Sequence, residues 1–135
     1  MTIIYRLEPE LEVDEFIDVL RRSQLAGRRP IDERERLDEM LRQADVTIAA
    51  RTPEGLLIGI SRAISDFSFS TFLIDLAVDQ AYQGQGIGRC LIARTHEEAG
   101  YRTSLVLHAA PAAATYYPHV GMQTYDDCWY IPRTD

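Results

Sequence analysis

The sequence is poor in the features that tie a chain to several common protein classes. It has two cysteines, Cys90 and Cys128, too few for a disulfide framework and not spaced as a C-x-x-C pair. No apolar run approaches the ~20 residues of a membrane span. The N-terminus, Met1-Thr-Ile-Ile-Tyr-Arg6, lacks the basic start and long apolar stretch of a signal peptide. A cytoplasmic location is the expectation these features set. Positive charge is also short: 14 Lys and Arg face 21 Asp and Glu, for a net charge of -7. Nucleic acid rewards a basic surface, so no nucleic-acid partner is expected. His96, His108 and His119 have no metal-ligand spacing with either cysteine, so no metal is expected. There is no internal repeat, low-complexity tract or long linker. A chain of 135 residues, 46% of them hydrophobic and 26% charged, suits one domain with one core over residues 1–135.

What is present is a regular alternation of short elements. Ile3 to Leu7 predicts a first strand. Val13, Phe16, Ile17 and Leu20 lie on one face of a helix ending near Arg22-Ser23, with Glu12, Asp14 and Glu15 in its first turn. Asp32 is placed to cap a second helix carrying Leu37, Met40, Leu41 and Ala44 at spacings of three and four. The charges on its other sides read as a solvated face. Val46 to Arg51 and Leu56 to Ile64 form a hairpin about Thr52-Pro-Glu-Gly55. Thr71 to Val78 is a further strand, rich in apolar and β-branched residues. A helix from Ile87 to about Ala99 stops at Gly100, and Ser104 to His108 is again a strand. Pro111 starts a helix running toward His119 and ending at Gly121. Gln123 to Tyr125 and Cys128 to Ile131 are expected to form a last pair of strands. The order is β, α, α, β, β, β, α, β, α, β, β, an α/β (α+β) chain.

The informative stretch runs from Asp75 to Ile92. Gly84, Gly86 and Gly88 alternate between a strand and a helix. Glycines there let backbone N–H groups approach a ligand with no Cβ in the way. At a helix start, free N–H donors and the positive dipole end favour an anion. The stretch lacks the Lys-Ser/Thr ending of a nucleoside triphosphate loop, and its G-x-G-x-G spacing misses the dinucleotide fingerprint. A phosphate-binding turn is what remains.

Gln83-Gly-Gln-Gly86-Ile-Gly88, after Leu76-Ala-Val78 and Asp79, resembles the acetyl-CoA pyrophosphate loop of the GNAT N-acetyltransferase superfamily. The element order is similar to that fold from end to end. The resemblance implies a mixed central sheet flanked by helices, in which the glycine-loop strand and the next parallel strand splay to admit the coenzyme arm. It implies that Gln83, Gly84, Gln85, Gly86, Ile87, Gly88 and Arg89 wrap the pyrophosphate. Leu76, Ala77 and Val78 would pair with the pantetheine amides, beside a bulge whose N–H faces the thioester carbonyl. Tyr116-Tyr117-Pro118-His119-Val120-Gly121-Met122 resembles the second family signature, with Tyr117 matching the tyrosine that protonates the departing thiolate. Met122 replaces the usual Phe. Ala110 stands where many relatives carry an Asn that contacts the pantetheine arm.

The implied activity is transfer of an acetyl group from acetyl-CoA to a primary amine, by direct attack in a ternary complex. The alternative is a non-catalytic acyl-CoA-binding or sensing module; a nucleotide-binding domain is a weaker third. A protonated amine needs a base. Asp75, on the strand beside the thioester region, is the first candidate, with Asp66 and His108 behind it. The acceptor is not legible. Arg28, Arg29, Phe67, Phe69, Trp129 and Tyr130 are candidate contacts. A homodimer is expected from family habit and from the apolar run Cys128-Trp-Tyr-Ile131.

Overall fold

A computed structural model describes residues 2–110 and 113–134. Its elements in chain order are β1 (Ile4–Leu7), α1 (Val13–Arg22), α2 (Arg34–Gln43), β2 (Val46–Arg51), β3 (Leu57–Ser65), β4 (Ser70–Val78), α3 (Ile87–Ala99), β5 (Ser104–Leu107) and α4 (Tyr116–His119). Short 3-10 turns at Ala26–Arg28 and Gln80–Tyr82 join α1 to α2 and β4 to α3. The five strands form one mixed sheet in the order β1-β2-β3-β4-β5. Neighbours are antiparallel except β4 and β5, which are parallel. That pair needs a crossover, and α3 supplies it.

Each helix buries the stripe that its sequence period dictates. α1 buries Val13, Phe16, Ile17, Val19 and Leu20, and α2 buries Leu37 and Leu41. These side chains pack together with Ala49, Leu57, Ile60 and Ala77 of the sheet. α3 buries Ile87, Leu91, Thr95 and Ala99, one residue per turn. Ile87, Leu91 and Ala99 join Val46, Ile48, Ala50, Ile58, Ala63 and Leu73 in a second cluster. The sheet therefore has α1 and α2 on one face and α3 on the other. Burying a Leu, Ile or Phe contributes about 1.5–3 kcal/mol, so these two clusters carry the fold. Gly59 lets α3 come close: a Cβ there would meet Ile87 and Leu91 at 3.2 Å.

Three expectations need correction. The cap of α2 is Glu33, not Asp32, and its side chain makes no capping bond. The helix expected from Pro111 shortens to Tyr116–His119, while Pro111 and Ala112 lie outside the described residues. The last pair of strands, at Gln123 to Tyr125 and Cys128 to Ile131, does not form among the described residues. That segment follows β5 as irregular chain, with Trp129 and Ile131 more than nine-tenths exposed. A strand exists by pairing, and apolar content alone does not supply the partner. No described helix is long and apolar enough to cross a membrane.

Candidate functional site

The site is built around β4, between β3 and β5. Its inner residues Thr71, Leu73, Asp75 and Ala77 are buried in alternation with more exposed neighbours. Against β3 the register runs Arg62 to Asp75 and then Ala63 to Leu73, so Ile74 is left without a partner. One extra residue in one strand is a β-bulge, which bends the strand and re-aims its backbone. On the other side, β4 pairs with β5 only from Ser70–Ser104 to Leu73–Leu107. Beyond that pair the strands separate, and residues 74–78 present an unpaired edge to the gap. Bulge and separation coincide at Ile74. The splay read from the resemblance is therefore present, and the bulge sits two residues before Leu76.

At the far end of the gap lies the glycine turn. Asp79 caps the 3-10 turn by accepting from the Ala81 N–H at 2.8 Å. Gln83 folds back, its side-chain amide donating to the Val78 carbonyl at 3.0 Å. Gly84 and Gly86 both have φ of 82°, the left-handed region, with open space where a Cβ would point. Gly86 is the residue before α3, and Cys90 N–H donates to its carbonyl at 3.1 Å. The N–H groups of Ile87, Gly88 and Arg89 precede that first helical bond, so they are donors for an anion. Leu76, Ala77 and Val78 lie on the part of β4 left unpaired by β5, and Gln83, Gly84, Gln85, Gly86, Ile87, Gly88 and Arg89 follow in the turn and the start of α3. The residues present fit an extended ligand with a phosphate at one end.

α4 leans on that helix start. A Cβ on Gly88 would fall 2.6 Å from the Tyr116 hydroxyl oxygen. Burial raises the Tyr116 phenol above its ordinary value of 10.0, while the charge and backbone of nearby Arg89 oppose the rise. The Arg89 guanidinium, expected to reach a phosphate, instead donates to the His119 carbonyl at 2.8 Å. Tyr116 and Tyr117 rings meet edge to face at 5.3 Å. Tyr117 is half-buried and lines a cavity of about 520 Å³ between β5 and the C-terminal segment, with His108, Met122 and Cys128. Burial, then the neighbouring Tyr116, pushes the Tyr117 phenol above its ordinary value of 10.0. It therefore stays protonated at neutral pH and is a donor.

The carboxylates behave differently from expectation. Asp75 is fully buried. One of its oxygens accepts from Arg29 Nε at 2.5 Å and the other from Arg62 Nε at 2.5 Å. It holds two guanidinium groups, a structural task in place of the base expected from its strand position. Asp66 is corrected as well. Its Oδ1 accepts from the backbone N–H groups of Ser68, Phe69 and Ser70, which hold its pKa down to about 2. Such a group is a turn-former and cannot take a proton near neutrality. His108 meets Phe72 at a tilt and Tyr130 edge to face, at ring distances of 5.4 and 6.2 Å. Its Nε2 lies 3.8 Å from Cys128 Sγ. Among the described residues no group of three or more His, Cys, Asp or Glu could hold a metal ion.

Three arginines around β4 were not singled out as its partners from the sequence. Arg62 interrupts an apolar strand, and Asp75 interrupts the next. Two buried charges on adjacent strands each demand a partner, which was the available signal. Arg29 appeared only as a candidate acceptor contact. Arg22 of α1 pairs with Asp79 and donates to the Leu57 carbonyl at 2.6 Å, fixing the end of β4. Nothing local in the sequence announces a contact 57 residues away.

A mixed sheet that opens at a bulge, with a glycine-led helix at the mouth of the gap, defines a domain for an extended phosphate-bearing ligand. Comparison with known proteins gives the family. Residues 43–123, more than half the chain, match the acetyltransferase (GNAT) domain, and the chain belongs to that family. It is 36% identical over 73 residues to the uncharacterised N-acetyltransferase ycf52 of Gracilaria tenuistipitata var. liui, covering 53% of this chain and 40% of that protein. The chain thus spans less than half the length of that curated relative. A GNAT-family acetyltransferase from Streptococcus pneumoniae TIGR4 superposes with a TM-score of 0.75 at 21% identity, covering 99% of this chain and 98% of the other. The aminoglycoside N-acetyltransferase AAC(6')-Iy, in complex with CoA, gives 0.73 at 18% identity, over 98% and 95%. At those identities the likeness is one of fold.

Proposed function

We propose that this chain is an acetyl-CoA-dependent N-acetyltransferase acting on a primary amine. The observation that carries the reading is the coincidence of bulge, strand separation and glycine-led helix along one edge of β4. Acetyl-CoA has the matching layout, an anionic pyrophosphate joined to an amide-bearing arm that ends in the acyl thioester. Backbone N–H groups at the start of α3 receive the pyrophosphate, and residues 74–78 pair with the arm as a strand would. The gap closes at the Leu73–Leu107 pair, so the reactive end stops beside Ile74. Family membership and the CoA bound in the AAC(6')-Iy neighbour support this assignment.

In the proposed reaction the neutral amine nitrogen attacks the acyl carbon, a C–N bond forms and the C–S bond breaks. Tyr117 gives its proton to the departing thiolate, and the excess amine proton passes through water to restore the Tyr117 phenol. Holding both partners together supplies orientation rather than covalent chemistry. Neither Asp75 nor Asp66 is placed to accept that proton, so no side-chain base is assigned.

The second reading, an acyl-CoA-binding module without turnover, is favoured by Ala110 and by the committed carboxylates. A thiol-release assay with acetyl-CoA and a broad panel of amines separates the two. Turnover on any amine supports the enzyme. Tight acetyl-CoA binding with no thiol release across the panel would support the module.

A further inference from the structure

The buried cluster under the bulge has an uneven charge count. Arg62 of β3 is 5% exposed in its side chain and Asp75 of β4 is 0% exposed. Arg29, from the connection between α1 and α2, is 18% exposed. Two guanidinium groups thus share one carboxylate. Their remaining donors go to neutral carbonyls: Arg29 to Arg28 at 2.8 Å and Ile74 at 2.8 Å, Arg62 to Met40 at 3.2 Å. Arg22 of α1 is shared by Asp79 and Asp18. Within the buried set of Arg29, Arg62 and Asp75 one positive charge is left over, in a place where low polarisability lets its field act strongly at short range.

The bond from Arg29 to the Ile74 carbonyl is the telling contact. Ile74 is the unpaired residue of the bulge, at the point where β4 and β5 part. Among the described residues, the Arg29 side chain donates to both the buried carboxylate and the bulge carbonyl. Separate nitrogens of the one guanidinium meet the two acceptors, Nε the Asp75 carboxylate and Nη2 the Ile74 carbonyl.

We propose that Arg29 is a positioning residue for acyl transfer: it braces the bulge from the α1–α2 face and leaves one uncompensated positive charge beside the acyl carbonyl. The inference rests on the acetyl-CoA reading above. Its chemical consequence is twofold. The carbonyl oxygen gains negative charge as the amine attacks, and a fixed positive charge stabilises it. The same charge disfavours an ammonium nearby, so a bound amine yields its proton to water more readily, with no side-chain base required.

The test is isotope-edited infrared spectroscopy of acetyl-CoA labelled with 13C at the thioester carbonyl, bound to wild type, Arg29→Gln and Arg29→Lys. Far-ultraviolet circular dichroism and acetyl-CoA affinity establish that each variant is folded and loaded. The carbonyl band of bound wild type is expected below that of free acetyl-CoA. Arg29→Gln should return it toward the free position, and Arg29→Lys, which keeps the charge, should hold it near wild type. With the best amine of the panel, the pH at which transfer reaches half its maximum should rise by about 0.5–1 unit in Arg29→Gln. A loaded Arg29→Gln whose band superimposes on wild type overturns the inference. Should Arg29→Gln not fold, an Arg29→Lys band shifted back to the free position overturns it equally. A wild-type protein that binds no acetyl-CoA would overturn the proposed function first, a distinct result.

Discussion

In the proposed reaction the adjacent residues Tyr117 and Tyr116 have opposite relations to the ligand. Tyr117 is raised in pKa by burial and faces the cavity beside β5, so it holds a proton to give. Tyr117→Phe keeps the ring and removes the donor. Its kcat should fall by about 10- to 1,000-fold, the scale of a lost general acid, with acetyl-CoA affinity little changed. Steady-state kinetics with the best amine, beside calorimetric binding, checks both halves. The Tyr116 hydroxyl sits against the start of α3 at Gly88, among the N–H donors an anion would use. Removing that hydroxyl in Tyr116→Phe should tighten acetyl-CoA binding by about 2- to 10-fold, the size of one net hydrogen bond. An affinity that falls instead would mean the hydroxyl contacts the ligand rather than competing with it.

Among the elements, those carried by local pattern were legible and those carried by distant partners were not. α1 and α3 occupy the spans that apolar spacing and Gly100 dictate. The glycine turn was legible because positive φ at Gly84 and Gly86 is a property of those residues themselves. The two last strands were misread because alternation without a paired neighbour leaves chain, not sheet. The role of Asp75 was misread because its partners lie 13 and 46 residues away. A similar long-range cluster ties β2 to α1 and to the residue after β1. Arg51 donates to Glu8 at 2.7 Å and to Glu15 at 2.7 Å, and Glu8 is held below its ordinary 4.5 chiefly by the hydrogen bond from Arg51. A carboxyl lowered in this way stabilises the fold above its unfolded pKa, and the contribution fades as pH falls through the folded one. Glu8→Gln should therefore lose about 1–3 kcal/mol at pH 7, and the difference from wild type should vanish well below pH 4.5. Urea melts of both proteins across pH 3 to 7 measure it.

For the whole molecule, the C-terminal segment presents Trp129 and Ile131 at 91% and 94% exposure, beside the open edge of β5. Exposed apolar groups next to an unpaired strand edge invite another chain. A homodimer is the expected state, so light scattering at micromolar concentration should give twice the 15.3 kDa chain mass. Trp129→Ser should shift it toward one chain. A wild-type mass of one chain would contradict that expectation. The central claim is that the path from Ile74 to Arg89 receives acetyl-CoA, and titration calorimetry tests it most directly. Gly86 has φ of 82° and open space before it, so Gly86→Glu puts a carboxylate where the pyrophosphate would sit. The left-handed backbone costs that variant about 1–2 kcal/mol of stability, and a thermal melt verifies that it is folded. Acetyl-CoA should bind the wild-type protein and release no measurable heat with folded Gly86→Glu. Equal affinity for both proteins would contradict the account.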